Sequence, residues 1–152
     1  MPEVAIIIVN WNGSEDTITC LCSLRRVKSP SFETIVVDNG STDNSVERIR
    51  AEFPEVRLVL TGENLGFVGG NNLGLEVALK LKAKYALLLN NDTEVDENFL
   101  YPLVEIMESD PTVGVVGPTI LYYKQPDLIW SAGGKVDWRR GKTAMIGLNE
   151  SD

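Results

Sequence analysis

The chain of 152 residues contains no histidine and only two cysteines. Without histidine, the chain cannot build a Ser-His or Cys-His nucleophile or a histidine metal site. Cys20 and Cys22 lie two positions apart on a predicted helix, so their side chains point to different sides and cannot easily form a disulfide. Two cysteines are also too few for a structural zinc site. We expect both to be small core or partly exposed residues in a reducing compartment.

Long apolar runs and basic runs are also missing. No stretch approaches the ~18 apolar residues of a membrane helix, and the amino terminus lacks the basic region and cleavage site of a signal peptide. The net charge is -8, which argues against a nucleic-acid partner. A nucleotide stays compatible with this charge because a metal can neutralise its phosphates locally. We expect a cytoplasmic protein, with peripheral membrane contact left open for a longer polypeptide.

The common nucleotide-binding fingerprints are absent. Neither G-x-G-x-x-G nor G-x-x-x-x-G-K-[ST] occurs, and the loop Asn10–Gly13 after the first strand has one glycine. A glycine-rich segment, Glu63–Asn72, follows the third strand instead. Its glycines permit close approach to a ligand, and it precedes a predicted helix whose amino terminus would favour anions. The alternative is a flexible loop with a helix cap.

Apolar runs alternate with helical periodicity along most of the chain. The predicted strands are Val4–Val9, Thr34–Val37, Arg57–Leu60, Tyr85–Leu89 and the short Val113–Gly117. The predicted helices cover about Ser14–Arg26, a short segment capped by Ser41-Thr42-Asp43, Asn71–Lys82, and a segment that begins near Asp96. This order predicts an α/β fold with a mostly parallel central sheet and helices on both faces. Past Pro118 we expect only short strands or a hairpin with Gly133-Gly134 as its turn, and no clear element from Arg139 on.

Three predicted strands end in small polar residues, at Asn10, at Asp38 and at Asn90-Asn91-Asp92. If the sheet is parallel, these ends share one edge, where open α/β sheets bind ligands. Asp92 can then hold a hard cation, and Asp38 can accept a hydrogen bond from a base or a ribose. Turn chemistry alone is the competing interpretation of both aspartates. The strand before Asp92 reads as fully buried, and Trp11, Trp130 and Trp138 are each interpreted as core residues rather than walls of a sugar site.

Several segments together resemble the family 2 glycosyltransferases with a Rossmann-like GT-A fold, and in particular their rhamnosyltransferase-like branch. The matching segments are Ile6–Asn12, Val36–Asp43, Glu63–Phe67, Leu88–Asp92, Val115–Pro118 and Ile129–Gly134. The resemblance implies that residues 1–118 form a nucleotide-sugar-binding core and that residues 119–152 begin an acceptor-side region.

The same resemblance implies a set of site residues. Asp38 recognises the base, and Asp92 is the metal ligand, for Mg²⁺ or Mn²⁺, at the end of a D-x-D-like motif in which Asn90 replaces the first carboxylate. That replacement leaves less negative charge, so we expect weaker metal binding. The implied nucleotide-sugar-binding residues are Asn10, Trp11, Asn12, Asp38, Asn39, Gly40, Asn64, Gly66, Gly69, Asn72, Asn90, Asn91 and Asp92.

The implied reaction is an inverting transfer of a sugar, with rhamnose as a candidate, from a dTDP- or UDP-linked donor to a saccharide or lipid-linked acceptor. The catalytic base is expected beyond Asp152, so the chain is predicted to be a donor-binding portion that is incomplete as a catalyst and able to self-associate through its truncated face. A sugar-nucleotide pyrophosphorylase-like enzyme and a non-catalytic nucleotide-binding module are the alternatives.

Overall fold

The structure is a computed structural model that describes residues 1–152. Its elements, in chain order, are β1 Val4–Asn10, α1 Ser14–Leu24, β2 Phe32–Asp38, α2 Ser45–Glu52, β3 Arg57–Leu60, α3 Gly66–Leu81, β4 Tyr85–Asn90, α4 Leu100–Ser109, β5 Ile120–Tyr122, β6 Gln125–Ser131, β7 Gly134–Asp137 and β8 Lys142–Met145. The chain divides into two compact units, Met1–Tyr101 and Pro102–Asp152. The predicted functional boundary at residue 118 stays a prediction.

The first unit is built on a parallel sheet of four strands in the order β3-β2-β1-β4. Successive side chains of a strand point to opposite faces, and β1 is buried on both. On one face Ala5, Ile7 and Ile35 pack with Ala78 of α3. The opposite face carries buried Ile6 and Ile8, and buried apolar residues of α1 and α2 cover it. The predicted α/β fold with helices on both faces is confirmed.

Helix α3 begins at Gly66, five residues before the predicted start at Asn71, so the glycine-rich segment is largely helical and not a loop. Glycine disfavours a helix by about 1 kcal/mol relative to alanine, yet tertiary packing overrides that preference here. A Cβ at Gly70 would lie 2.8 Å from Val9 Cγ1, and a Cβ at Gly74 would lie 2.3 Å from Ile7 Cγ2. These two glycines therefore serve the close approach of α3 to β1.

Strand β4 is only half-buried, so the prediction of a fully buried strand was wrong. It lies at the edge of the sheet and pairs with β1 alone. Tyr85, Leu87 and Leu89 are partly covered, whereas Ala86, Leu88 and Asn90 are exposed. The register sets Leu88 beside Ile7, on the α3 side, which shows that α3 covers β1 but leaves this side of β4 open. Self-association through such an apolar surface stays a prediction.

The second unit contains two antiparallel pairs, β5 with β6 and β7 with β8. The general prediction of short C-terminal strands is confirmed, but three details were wrong. Val113–Gly117 forms no strand, Gly133-Gly134 does not join a hairpin, and the chain after Arg139 does contain an element, β8. The turn between β7 and β8 is stabilised because Asp137 Oδ1 accepts hydrogen bonds from the backbone N–H groups of Arg139 and Arg140.

No helix of the structure has the length and apolarity needed to cross a bilayer.

Candidate functional site

The polar ends of the three strands lie side by side, as the sequence predicted. Strand β1 is central, and its Asn10 pairs in register with Asp38 of β2 while Val9 pairs with Asn90 of β4. The chain adds β2 and β3 on one side of β1 and then crosses to β4 on the other side. That reversal creates a switch point between β1 and β4, where open α/β sheets bind ligands.

Asn10 and Asp38 form a buried pair beneath this edge. Asn10 Nδ2 donates to Asp38 Oδ2 over 2.8 Å and to Ser41 Oγ over 3.1 Å, and the Ser41 N–H donates to Asp38 Oδ1 over 3.0 Å. These hydrogen bonds stabilise the Asp38 carboxylate. Neither side chain lines the cavity described below. Both residues hold the strand ends and the following loops in place.

Asn12 and Gly40 shape the two loops above that pair. Asn12 has a φ of 52°, and its Oδ1 accepts hydrogen bonds from the N–H groups of Thr42 and Asp43. Gly40 has a φ of 77°, and a Cβ there would lie 2.7 Å from the backbone carbon of Glu63. Only glycine fits this conformation and this close approach without strain. Both predicted site residues thus act on loop geometry and lie outside the cavity lining.

Asn39 joins the end of β2 to the beginning of α3. Its Nδ2 donates to Asn64 Oδ1 over 3.0 Å and to the Gly66 carbonyl over 3.2 Å, and its Oδ1 accepts from the Leu65 N–H over 3.0 Å. Asn64 Oδ1 also accepts the Gly66 N–H over 2.8 Å. These bonds fix the amino terminus of α3 at the polar edge of the sheet.

A cavity of about 400 Å³ opens where β1, β4 and the start of α3 meet. Its lining consists of Val9, Trp11, Asn39, Asn64, Gly66, Phe67, Asn71, Leu88, Leu89, Asn90, Asn91 and Asp92. The open side of β4 at Leu88 and Asn90 contributes one part of the lining, and the first turns of α3 contribute another.

Seven of the predicted nucleotide-sugar-binding residues line this cavity: Trp11, Asn39, Asn64, Gly66, Asn90, Asn91 and Asp92. Six do not: Asn10, Asn12, Asp38, Gly40, Gly69 and Asn72. Asn72 is exposed, whereas its neighbour Asn71 is buried, lines the cavity and donates from Nδ2 to the Phe67 carbonyl over 2.9 Å. The small residues Gly70, Gly74 and Ala78 at four-residue spacing mark the inward side of α3, and that signal could have identified Asn71 from the sequence.

All three tryptophans are exposed, so interpreting each as a core residue was wrong. Trp11 follows the last residue of β1, is 57% exposed and lines the cavity. Trp130 lies on β6 and Trp138 in the turn between β7 and β8, and both side chains are largely uncovered. The cavity therefore has two exposed aromatic side chains, Trp11 and Phe67, that can stack on a planar or sugar ring.

The cavity contains a single ionisable side chain, the carboxylate of Asp92, and no lysine or arginine. No cluster of three His, Cys, Asp or Glu side chains that could hold a metal exists in residues 1–152. A hard cation binds oxygen ligands, and Mg²⁺ typically takes one or two carboxylates and completes its shell with phosphate and water. Asp92 with the amide oxygens of Asn90 and Asn91 fits such a cation only when a ligand supplies further oxygens.

The thiol of Cys20 lies beside the backbone carbonyl of Asn90 and does not add negative charge to the cavity. Its Sγ donates to the Asn90 carbonyl over 3.8 Å, and burial raises the pKa of its thiol to about 11, with the charges of Asp92 and Glu94 contributing. Cys22 is exposed and both cysteines are free, as their positions on α1 predicted. The thiol is neutral at physiological pH, so it adds no negative charge beside Asp92.

Comparison with known proteins agrees with this geometry. Residues 5–151 match the family described as "Glycosyl transferase family 2". The chain is 30% identical over 122 residues to the low-salt glycan biosynthesis hexosyltransferase Agl10 of Haloferax volcanii, an alignment that covers 80% of this chain and 38% of the relative. The chain therefore spans well under half the length of that relative.

Solved structures share the fold. A mannosyltransferase from Pyrobaculum calidifontis in complex with GDP-Man and Mn²⁺ superposes with a TM-score of 0.65 at 24% identity, over 80% of this chain and 36% of that one. TarS 1-349 of Staphylococcus aureus in complex with UDP-GlcNAc superposes with a TM-score of 0.59 at 17% identity, over 81% of this chain and 41% of that one. The fold is thus GT-A, and the chain belongs to glycosyl transferase family 2.

Proposed function

We propose that this chain binds the donor of an inverting glycosyltransferase, a nucleotide-diphosphate sugar, in the cavity between β1, β4 and the start of α3. The observation that carries the proposal is the charge of that cavity, which has one carboxylate and no basic side chain. A diphosphate brought next to Asp92 would be repelled unless a cation lay between them. A site of this kind suits a ligand that arrives together with a divalent metal.

Each part of the cavity has a proposed role in holding the donor. Asp92, with Asn90 and Asn91, would hold Mg²⁺ or Mn²⁺. The bound cation would neutralise the negative charge of the diphosphate leaving group. The amino terminus of α3 at Gly66 and Phe67 would favour the same negative charge. Trp11 and Phe67 would stack on the base or the sugar.

The hydrogen-bonded pair Asn10 and Asp38 lies below the cavity and would contribute to recognition of the nucleotide base. Each carboxylate oxygen of Asp38 accepts one hydrogen bond in the structure, so each retains a lone pair. The base is thymine or uracil in our proposal, and the neighbour bound to GDP-Man adds guanine to the set that must be tested. Rhamnose is the candidate sugar, and a saccharide or lipid-linked molecule in cell-surface polysaccharide synthesis is the candidate acceptor.

The base that activates the acceptor hydroxyl is not among the cavity residues. Asp92 is the only carboxylate there, and its proposed role is to hold the cation. We therefore infer that the chain is a donor-binding portion and that a carboxylate from outside residues 1–152 completes the catalyst. The pyrophosphorylase alternative is not supported, because that chemistry needs a basic glycine-rich loop and no basic residue lines the cavity.

Thermal unfolding with a panel of UDP, dTDP and GDP, with and without Mn²⁺, tests the proposal. We expect one nucleotide to raise the Tm only when Mn²⁺ is present, and a ligand at 100 times its Kd stabilises by about 2.7 kcal/mol. Asp92→Ala should abolish the Mn²⁺-dependent part, while Asp16→Ala, at an exposed position on α1, should retain it. Equal stabilisation of Asp92→Ala and wild type would contradict the metal role. Robust acceptor-dependent transfer by this chain alone would contradict the missing base.

A further inference from the structure

Thr17 lies outside the cavity. It connects the segment Asn90–Asp92, which lines the cavity, to the buried pair Asn10 and Asp38 at the strand ends. Its side chain is fully buried on α1. The Thr17 hydroxyl donates to Asn10 Oδ1 over 2.8 Å and accepts a hydrogen bond from Asn91 Nδ2 over 3.1 Å. Asn10 in turn donates to Asp38 Oδ2 over 2.8 Å. An unbroken chain of side-chain hydrogen bonds thus runs from Asp38 to Asn91.

The direction of every bond in this chain follows from its first member. An ionised carboxylate only accepts, so Asn10 must present its nitrogen to Asp38 and its oxygen to Thr17. The single hydroxyl proton of Thr17 is then used on Asn10, which leaves a lone pair for Asn91. Asn91 must therefore present its nitrogen to Thr17. Turning the Asn91 amide over would place two acceptor oxygens against each other.

This direction decides which atom of Asn91 the cavity can use. Asn91 lines the cavity next to Asp92, and one N–H of its side-chain amide donates to Thr17, which holds the nitrogen on the Thr17 side. The amide oxygen is the atom that a hard cation or a sugar hydroxyl needs, whereas the amide nitrogen would repel a cation. Gly13 leaves room for this arrangement, because a Cβ there would lie 2.6 Å from Asn91 Nδ2.

We propose that Thr17 is a positioning residue that locks the Asn91 side-chain amide with its oxygen free for the cation and diphosphate held at Asp92. This inference rests on the proposed function. Removing the hydroxyl frees the amide to turn over, and the loss of such supporting hydrogen bonds typically weakens metal binding by roughly 10–100-fold. Nothing in the role of Thr17 requires it to touch the ligand.

Mn²⁺ affinity, measured by electron paramagnetic resonance in the presence of the nucleoside diphosphate that stabilises the wild type most, tests this role. We expect Thr17→Val to weaken Mn²⁺ binding by roughly 10-fold or more, and Thr17→Ser, which keeps the hydroxyl, to retain the wild-type affinity. Thr34→Val on β2 is the matched control and should change nothing. In an Asn91→Ala background, Thr17→Val should cause no further loss, since the two residues act as one unit.

A readout without metal separates positioning from simple folding support. In the metal-free protein, the side-chain amide proton of Asn91 that donates to Thr17 should be protected from hydrogen exchange in the wild type and in Thr17→Ser, but not in Thr17→Val. Gly13→Ala crowds the Asn91 amide but keeps the Thr17 hydroxyl, and it should weaken Mn²⁺ binding as well. It replaces Thr17→Val as the test variant if Thr17→Val does not fold.

The possible failures are distinguishable. Wild-type chain that shows no Mn²⁺-dependent nucleotide binding overturns the proposed function itself. If Thr17→Val binds Mn²⁺ with the wild-type affinity, only the role of Thr17 is overturned. The same conclusion follows if Gly13→Ala and Asn91→Ala both bind Mn²⁺ with the wild-type affinity. A lower Tm for Thr17→Val with unchanged Mn²⁺ affinity and unchanged amide protection would show a purely structural residue.

Discussion

Asn10 Nδ2 and Asp38 Oδ2 lie 2.8 Å apart across two neighbouring parallel strands, and both side chains are buried. The pair lies where β1 and β2 end in register, so its hydrogen bond helps to hold the two strand ends together, beside the backbone bond from the Asn39 N–H to the Asn10 carbonyl. Asn10 uses both atoms of its amide, because its Oδ1 also accepts from the Gly13 N–H and the Thr17 hydroxyl.

Asn10→Ala should destabilise the fold by about 1–3 kcal/mol, because it leaves a buried carboxylate and a buried hydroxyl each short of a partner. Urea unfolding measures the change. Asn72→Ala is the matched control at an exposed position on α3 and should change the free energy of unfolding by about 0.5 kcal/mol or less. If Asn10→Ala is as stable as wild type, the buried network does not hold the strand ends together.

The neighbouring residues Asn71 and Asn72 should differ in their effect on ligand binding. Asn71 is buried and lines the cavity, whereas Asn72 is exposed and lies outside it. We expect Asn71→Ala to weaken nucleoside-diphosphate binding by about 1 kcal/mol, the usual net value of one hydrogen bond, and Asn72→Ala to leave it unchanged. Isothermal titration with Mn²⁺ present measures both affinities. The reverse order of effects would restore the sequence-based choice of Asn72.

Gly74 should not tolerate a side chain. A Cβ at this position would lie 2.3 Å from Ile7 Cγ2, in the tightest contact between α3 and β1. Gly74→Ala should therefore cost about 1–3 kcal/mol through overpacking, although alanine favours a helix more than glycine does. Gly114→Ala, where no atom lies within 4 Å of the added Cβ, is the control and should be near neutral. Thermal unfolding that ranks Gly74→Ala at or above wild type would contradict the close packing.

Cys20 should make stability fall at alkaline pH. Burial raises the pKa of its thiol from 9.0 to about 11 in the folded chain. A folded-state pKa above the unfolded one means that the contribution is complete below about pH 9 and is lost as the pH rises toward 11. Between those values, the free energy of unfolding of wild type should fall relative to Cys20→Ala by up to about 1.4 kcal/mol per pH unit.

Urea unfolding of both proteins at several pH values across that range measures the difference. A thiol reagent provides a second check, since at pH 8 it should modify the exposed Cys22 rapidly and Cys20 only after unfolding. Parallel pH profiles for wild type and Cys20→Ala would show that the Cys20 pKa is not raised by folding.

Much of the fold could be predicted because local sequence patterns determine where its strands and helices form. The apolar run at Val4–Val9 has the length and composition of a buried strand, and the helical periodicity between successive strands requires crossover connections in a parallel sheet. The sharing of one edge by Asn10, Asp38 and Asn90 followed from that topology alone.

Other features could not be predicted because they depend on which neighbour covers each surface. An apolar run such as that of β4 has the same sequence pattern whether its strand is central or at an edge of the sheet. Only the tertiary structure shows that β4 is an edge strand and that Leu88 is exposed. Likewise, Gly70 has the sequence pattern of a flexible loop, and only the structure shows that Val9 fills the space beside it.

The sequence by itself determined the order of the elements from β1 to α4, the parallel sheet, and the polar edge at which Asp92 lies, since hydrophobic periodicity and turn chemistry act over a few residues. The tertiary structure alone decided which amides face the cavity, that Trp11 is exposed, and that Asp38 is linked through Asn10 and Thr17 to Asn91. These contacts join residues up to 74 positions apart. Their geometry arises from the packing of strands and helices on one another, which no local pattern specifies.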